Sequence, residues 1–174
     1  ASLKRHWFGN EAFNAAHPTL KEFYDSFDKQ QKLKPKFVGA PDSQFDSQKG
    51  LTKITITCVK ERMLFDITKF TVNAGQPVRL TLVNPDATQH NLAVVQPGAL
   101  EEIGLAANEM AKDPSGLKKG FIPKSDKIIA HTKLLDPESA DVLRFMAPEK
   151  PGVYPYLCPF PGHWIIMKGE MTVK

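Results

Sequence analysis

Cys158, His163 and Met167 fall close together in Tyr154-Pro155-Tyr156-Leu157-Cys158-Pro159-Phe160-Pro161-Gly162-His163-Trp164-Ile165-Ile166-Met167. Thiolate, imidazole and thioether are soft or borderline donors, so the set selects a transition metal over a hard cation. A thiolate binds Cu(I) well and gives Cu(II) a covalent bond, imidazole suits either state, and a thioether is a weak donor to both. Four residues separate Cys158 from His163 and three separate His163 from Met167. A second imidazole is needed, and His90 in Thr88-Gln89-His90-Asn91-Leu92 is the candidate. Gln89 can bring its backbone carbonyl near the metal, opposite Met167, as a weak further contact. One Cys and two His in a plane, with a distant axial Met, hold a mononuclear copper whose geometry changes little between oxidation states, which favours one-electron transfer.

The same residues admit blander roles. All four side chains can be core residues with no metal, and zinc also binds Cys and His; a blue colour separates copper from zinc. Ile54, Ile56 and Cys58 share one strand face. Cys58 therefore reads as a buried free thiol acting as a small hydrophobe, with a Cys58–Cys158 disulfide as the competing account. His6, His17 and His131 have no companion at ligand spacing and read as solvated histidines. Asn91 is placed to pin the ligand loop with its side chain, while its backbone N–H and that of Phe160 point at the Cys158 sulfur.

The elements that carry these residues show a hydrophobic period of two from residue 51 onward. Strands are expected over 52–59, 63–72, 77–84, 90–96, 126–132, 141–147, 152–158 and 167–174. Val78-Arg79-Leu80-Thr81-Leu82 alternates as one buried sheet face requires. Many short strands punctuated by Gly, Pro, Asn and Asp indicate an all-β sandwich. Leu100, Ile103, Ala107 and Met110 follow helical spacing, giving one helix near 100–112 inserted between strands. Residues 1–50 differ and form an N-terminal extension to a domain over 51–174. Thr19-Leu20-Lys21-Glu22 reads as a capping box. Leu20, Phe23, Tyr24 and Phe27 fall on one face of a helix over about 19–32, and 33–50 reads as a linker.

The chain resembles azurin, of the cupredoxin family of blue-copper proteins, over roughly 53–174. Three stretches carry the resemblance: His90-Asn91; Ile129-Ala130-His131-Thr132-Lys133-Leu134; and Cys158 to Lys174, with Phe160-Pro161-Gly162-His163 and Met167-Lys168-Gly169. It implies an eight-stranded Greek-key cupredoxin β-sandwich, one type 1 copper, and a carrier shuttling single electrons between periplasmic redox proteins. It gives Gln89 the role of the residue whose carbonyl faces the metal. The chain departs from the family at Gln89, where Gly is usual, and at Pro159, which lacks the donors usually found after the Cys. Azurin's N-terminal disulfide has no counterpart here.

The residues around His163 (Phe160, Pro161, Gly162, Trp164, Ile165 and Ile166) form an apolar collar. If His163 reaches the surface there, redox proteins such as c-type cytochromes dock on it, unless the helix near 19–32 covers it or trades between protomers to make a homo-oligomer. The competing function is the copper module of a larger redox enzyme, such as a nitrite-reductase-like unit. That chemistry needs a second copper held by further clustered histidines, and none are clustered here. The net charge of +4, from 23 basic and 19 acidic residues without a long basic block, argues against nucleic acid. No apolar run is long enough to span a membrane. No signal peptide is visible, as in a processed chain, a cytosolic one or a trimmed one.

Overall fold

A computed structural model describes residues 35–39 and 41–174 of the chain. The helix expected over 19–32, His6 and His17 lie outside the described residues. The compact unit runs from Pro35 to Lys174.

Alternating apolar residues in long strands require a partner sheet, and two sheets pack face to face. In the first, β1 (Lys36–Phe37), β2 (Thr52–Val59), β3 (Leu64–Phe65), β5 (Pro77–Asn84) and β8 (Ser139–Met146) lie in the order β1-β8-β5-β2-β3. In the second, β4 (Lys69–Val72), β6 (Ala93–Val95), β7 (Ile128–His131), β9 (Gly152–Leu157) and β10 (Lys168–Val173) lie in the order β4-β10-β9-β6-β7. This is the all-β sandwich expected, with the two-residue β1 and β3 added to the eight strands. β5 sits at the centre of its sheet, paired in parallel with β2 and antiparallel with β8. Ile56, Val78, Leu80, Leu82, Leu143 and Phe145 face Val72, Val94, Tyr154, Tyr156, Met171 and Val173 across the interior. Each such side chain contributes about 1.5–3 kcal/mol by leaving water.

The strand expected over 63–72 is divided in two. The Asp66 carboxylate accepts from the backbone N–H of Thr57 and Ile67 (2.7 and 2.8 Å), and the chain crosses there from pairing with β2 to pairing with β10. The strand expected over 90–96 is shortened to 93–95. His90 and Asn91 precede it in a loop, where His90 makes a single bridge to Leu135.

The inserted helix, α2 (Leu100–Met110), lies outside the second sheet. Ile103 packs with Ala99, Ala93, Val95 and Leu157 in a second apolar cluster that also takes in Ile128 and Trp164, and Ala107 is buried on the same helix. β6 is therefore buried on both faces, Val94 toward the sandwich interior and Ala93 and Val95 toward α2. No side chain caps the α2 N-terminus; Glu101 and Glu102 in its first turn complement the exposed N–H groups instead.

The described part of the stretch expected as a linker is attached to the first sheet. β1 runs parallel to β8, and the one-turn α1 (Ser43–Asp46) is capped by Asp42. Asp46 lies across from Arg144 in a two-pronged ion pair, both contacts 2.9 Å, with Arg79 3.3 Å away. The Arg144 guanidinium holds the Asp46 carboxyl below the usual carboxylate range.

Candidate metal centre

Cys158 directly follows β9, whose backbone is fixed on both sides by β10 and β6. Its N–H donates to the Met167 carbonyl (2.9 Å), so the two ends of the loop are closed on each other. Between them the chain makes a 3₁₀ turn over His163–Ile165. Gly162 enters that turn at φ 85°, a left-handed conformation that a residue with a Cβ adopts only with strain. Its N–H donates to Asn108 Oδ1 (2.8 Å), which ties the loop to α2. Gly104 of α2 supports the same loop: a methyl group there would overlap the Trp164 indole.

The loop and the chain before β6 converge on one point. His90 Nδ1 is 3.9 Å and His163 Nδ1 is 3.7 Å from Cys158 Sγ. The three donor atoms lie within 4.8 Å of one another and all three residues are buried. The imidazole rings are 5.0 Å apart, centroid to centroid. Met167 is fully buried in the same core cluster as Cys158, and its N–H donates to the His163 carbonyl (2.8 Å). Gln89 is half-buried and its side-chain amide donates to Asp136 Oδ1 (2.7 Å).

Burial pushes the Cys158 thiol up to about 12, against the backbone N–H groups of Asn91 and Phe160 that favour the thiolate. Those are the two N–H groups expected at the sulfur. The Asn91 side-chain amide donates to the Gly120 carbonyl (2.7 Å), outside the ligand loop, and meets that loop through its Oδ1, 3.6 Å from Cys158 Sγ. Burial, and then the nearby His90, drop His163 to about 4, which leaves it neutral with a lone pair available at neutral pH. Cys58 is a buried free thiol, as expected, and no disulfide links it to Cys158. His131 is exposed, its Nδ1 against the Thr132 carbonyl.

Two neighbours of His90 were not legible in the sequence. Asp86 Oδ2 and Thr88 Oγ1 lie 3.0 and 2.9 Å from His90 Nε2. Asp86 is held at about 2: burial opposes its charge, but bonds from His90, Glu61, Ala87 and Thr88 outweigh it. The only sequence signal was an Asp four positions before a ligand candidate, in a stretch that reads equally well as a turn.

The collar divides. Ile165 and Ile166 are 56 and 47 % exposed beside His163, which is itself 9 % exposed. Phe160 stacks on the His163 ring at 4.6 Å. Trp164 instead turns inward against α2, where its indole N–H is buried without a protein partner.

A buried thiol flanked by two imidazoles that both present Nδ1, with N–H donors aimed at the sulfur, fits copper by donor type and by exclusion of water. The family model for copper-binding proteins of the plastocyanin/azurin family matches residues 52–174. Auracyanin-A of Chloroflexus aurantiacus is 34 % identical over 131 residues, covering 74 % of this chain and 78 % of that protein. Azurin of Pseudomonas aeruginosa is 34 % identical over 109 residues, covering 61 % of this chain and 68 % of that protein. The solved structure of auracyanin A, described as a "blue" copper protein from the same green thermophilic photosynthetic bacterium, superimposes with a TM-score of 0.63. It is 32 % identical and covers 72 % of this chain and all of that one. The chain therefore belongs to the plastocyanin/azurin family of copper-binding proteins.

Proposed function

We propose that His90, Cys158 and His163 would hold a single type 1 copper, with the Met167 thioether and the Gln89 backbone carbonyl as further, weak donors. The chain is an electron carrier and not an enzyme. The observation that carries the reading is the convergence of two Nδ1 atoms on Cys158 Sγ in a buried site. Bound copper supplies a one-electron couple between Cu(I) and Cu(II).

The protein's own part is to keep the donors still. Cys158 and His163 are fixed by the β9–β10 closure and by the Gly162–Asn108 tie, and His90 by its bridge to Leu135. Donors that do not move between oxidation states keep the reorganisation cost of electron transfer small. The Asn91 and Phe160 N–H groups stabilise negative charge on sulfur. His163 sits at the edge of the fold beside exposed Ile165 and Ile166, and is the port through which electrons pass.

Partners are redox proteins, c-type cytochromes among them, that dock on the collar around His163. The setting is the periplasm. The apolar face expected over 19–32 offers a second copy of the chain a surface for homo-oligomer formation. Among the described residues no helix is long and apolar enough to cross a membrane. The test is stopped-flow mixing of the reduced protein with an oxidised c-type cytochrome. Exchange should be second-order, and Ile166→Lys should slow it about tenfold without altering the copper spectrum. Equal rates for both proteins would remove the collar from the account, and no exchange with any one-electron partner would remove the carrier function.

A further inference from the structure

His90 and His163 offer the same atom to Cys158, yet their far sides differ. His163 has the exposed collar beside it. His90 is wholly buried, and behind it lies a buried carboxylate, Asp86, only 5 % exposed. Asp86 Oδ2 is 3.0 Å from His90 Nε2 and takes the Thr88 hydroxyl at 3.1 Å. Asp86 Oδ1 accepts from the backbone N–H groups of Glu61 (3.1 Å) and Ala87 (2.8 Å). The carboxylate is thus oriented by four donors, one from the β2–β3 turn.

The proton inventory of this cluster is settled by chemistry. A hydroxyl has one proton, and Thr88 gives its own to Asp86, so Thr88 Oγ1, 2.9 Å from Nε2, faces His90 as an acceptor. An ionised carboxylate also only accepts. Nε2 must therefore carry the imidazole proton, which puts the lone pair on Nδ1, the atom aimed at Cys158. A backbone carbonyl would fix the tautomer equally well. A carboxylate adds a full negative charge, 3.0 Å from a wholly buried imidazole and too close for salt to screen fully.

Resting on the copper reading above, we propose that Asp86 is a positioning residue for His90. It presets the Nε2–H tautomer before metal arrives. By its charge it makes His90 a stronger donor, favouring Cu(II) over Cu(I) and lowering the potential of the site. Hydrogen-bonded carboxylates behind metal-bound histidines act in this way, and their removal typically weakens metal binding by about 10–100-fold.

Asp86→Asn keeps the shape and removes the charge; Thr88→Val removes the second acceptor and keeps the charge. With both variants loaded, Asp86→Asn should retain the visible colour while Cu(II) affinity falls relative to Cu(I) by about tenfold, a rise in potential of about 59 mV. Thr88→Val should shift it by less than half as much. A coloured Asp86→Asn protein with the parent potential, or an equal shift in Thr88→Val, overturns the proposal while leaving the copper reading intact. If Asp86→Asn does not fold, nitrogen-15 NMR of the metal-free parent decides. A proton on His90 Nε2 supports the proposal and a proton on Nδ1 overturns it. Parent protein that binds copper without colour would instead overturn the copper reading.

Discussion

Cys158 has opposing forces acting on one atom. Burial favours the neutral thiol, while two backbone N–H groups favour the thiolate, and burial wins without metal. Copper uptake therefore releases a proton, as ligation of a thiol requires. The approach of Cys158 and His163 was legible in the sequence because unlike sulfur and nitrogen donors seldom crowd into so short a stretch without a shared task, and Met167, singled out with them, is buried in the same core cluster as Cys158. His90 was legible by type and by its neighbours Gln89 and Asn91. Asp86 was not, because its role depends on a contact that only the folded loop creates. Met167 is buried beside Cys158, and as the weak donor proposed above it would tune potential more than colour. Replacing Met167 with Leu should leave the charge-transfer band strong and raise the potential, by about tenfold in the Cu(II)/Cu(I) affinity ratio, or about 59 mV. Voltammetry of the loaded protein checks this; loss of the band would mean that Met167 does more than tune.

Among the elements, α2 does the most to shape the site while supplying none of its ligands. It covers β6 and Leu157, receives Trp164 over Gly104, and gives Asn108 to Gly162. Its apolar spacing was readable at Leu100, Ile103, Ala107 and Met110, but its contact with the ligand loop was not, since Gly104 and Asn108 look ordinary on a helix. The strand boundaries followed the same rule. The long strands β2 and β5 matched their expected bounds, although Thr81 on the other face of β5 is buried as well, whereas the 63–72 run divided where Asp66 bonds override strand propensity. Gly104→Ala forces the indole out of its seat, and overpacking of this kind costs about 1–3 kcal/mol. Thermal unfolding of the metal-free variant should show that loss. Leu105→Ala on the exposed side of the same turn should change stability by no more than about 0.5 kcal/mol. Equal effects would mean that the Gly104–Trp164 contact does not support the loop.

At the scale of the molecule, two sheets make a rigid frame, and the loop after β9 and the chain before β6 bring the donors together. The sandwich was legible because its period of two persists for most of the chain. The attachment of the segment before β2 was not. It rests on Asp46 reaching Arg144 and Arg79 across a long sequence separation, and no local pattern announces such pairs. The net charge of +4 is modest, so the docking proposed for the apolar collar would not be dominated by long-range steering. The central claim is that a thiolate and two imidazoles from this frame hold one copper. The most direct measurement is the visible absorption spectrum of the Cu(II)-loaded protein beside its Cys158→Ser variant. An intense thiolate-to-copper band in the parent, absent in the variant, is the predicted result. A colourless parent at full copper occupancy, or a band that survives loss of the Cys158 sulfur, would contradict it.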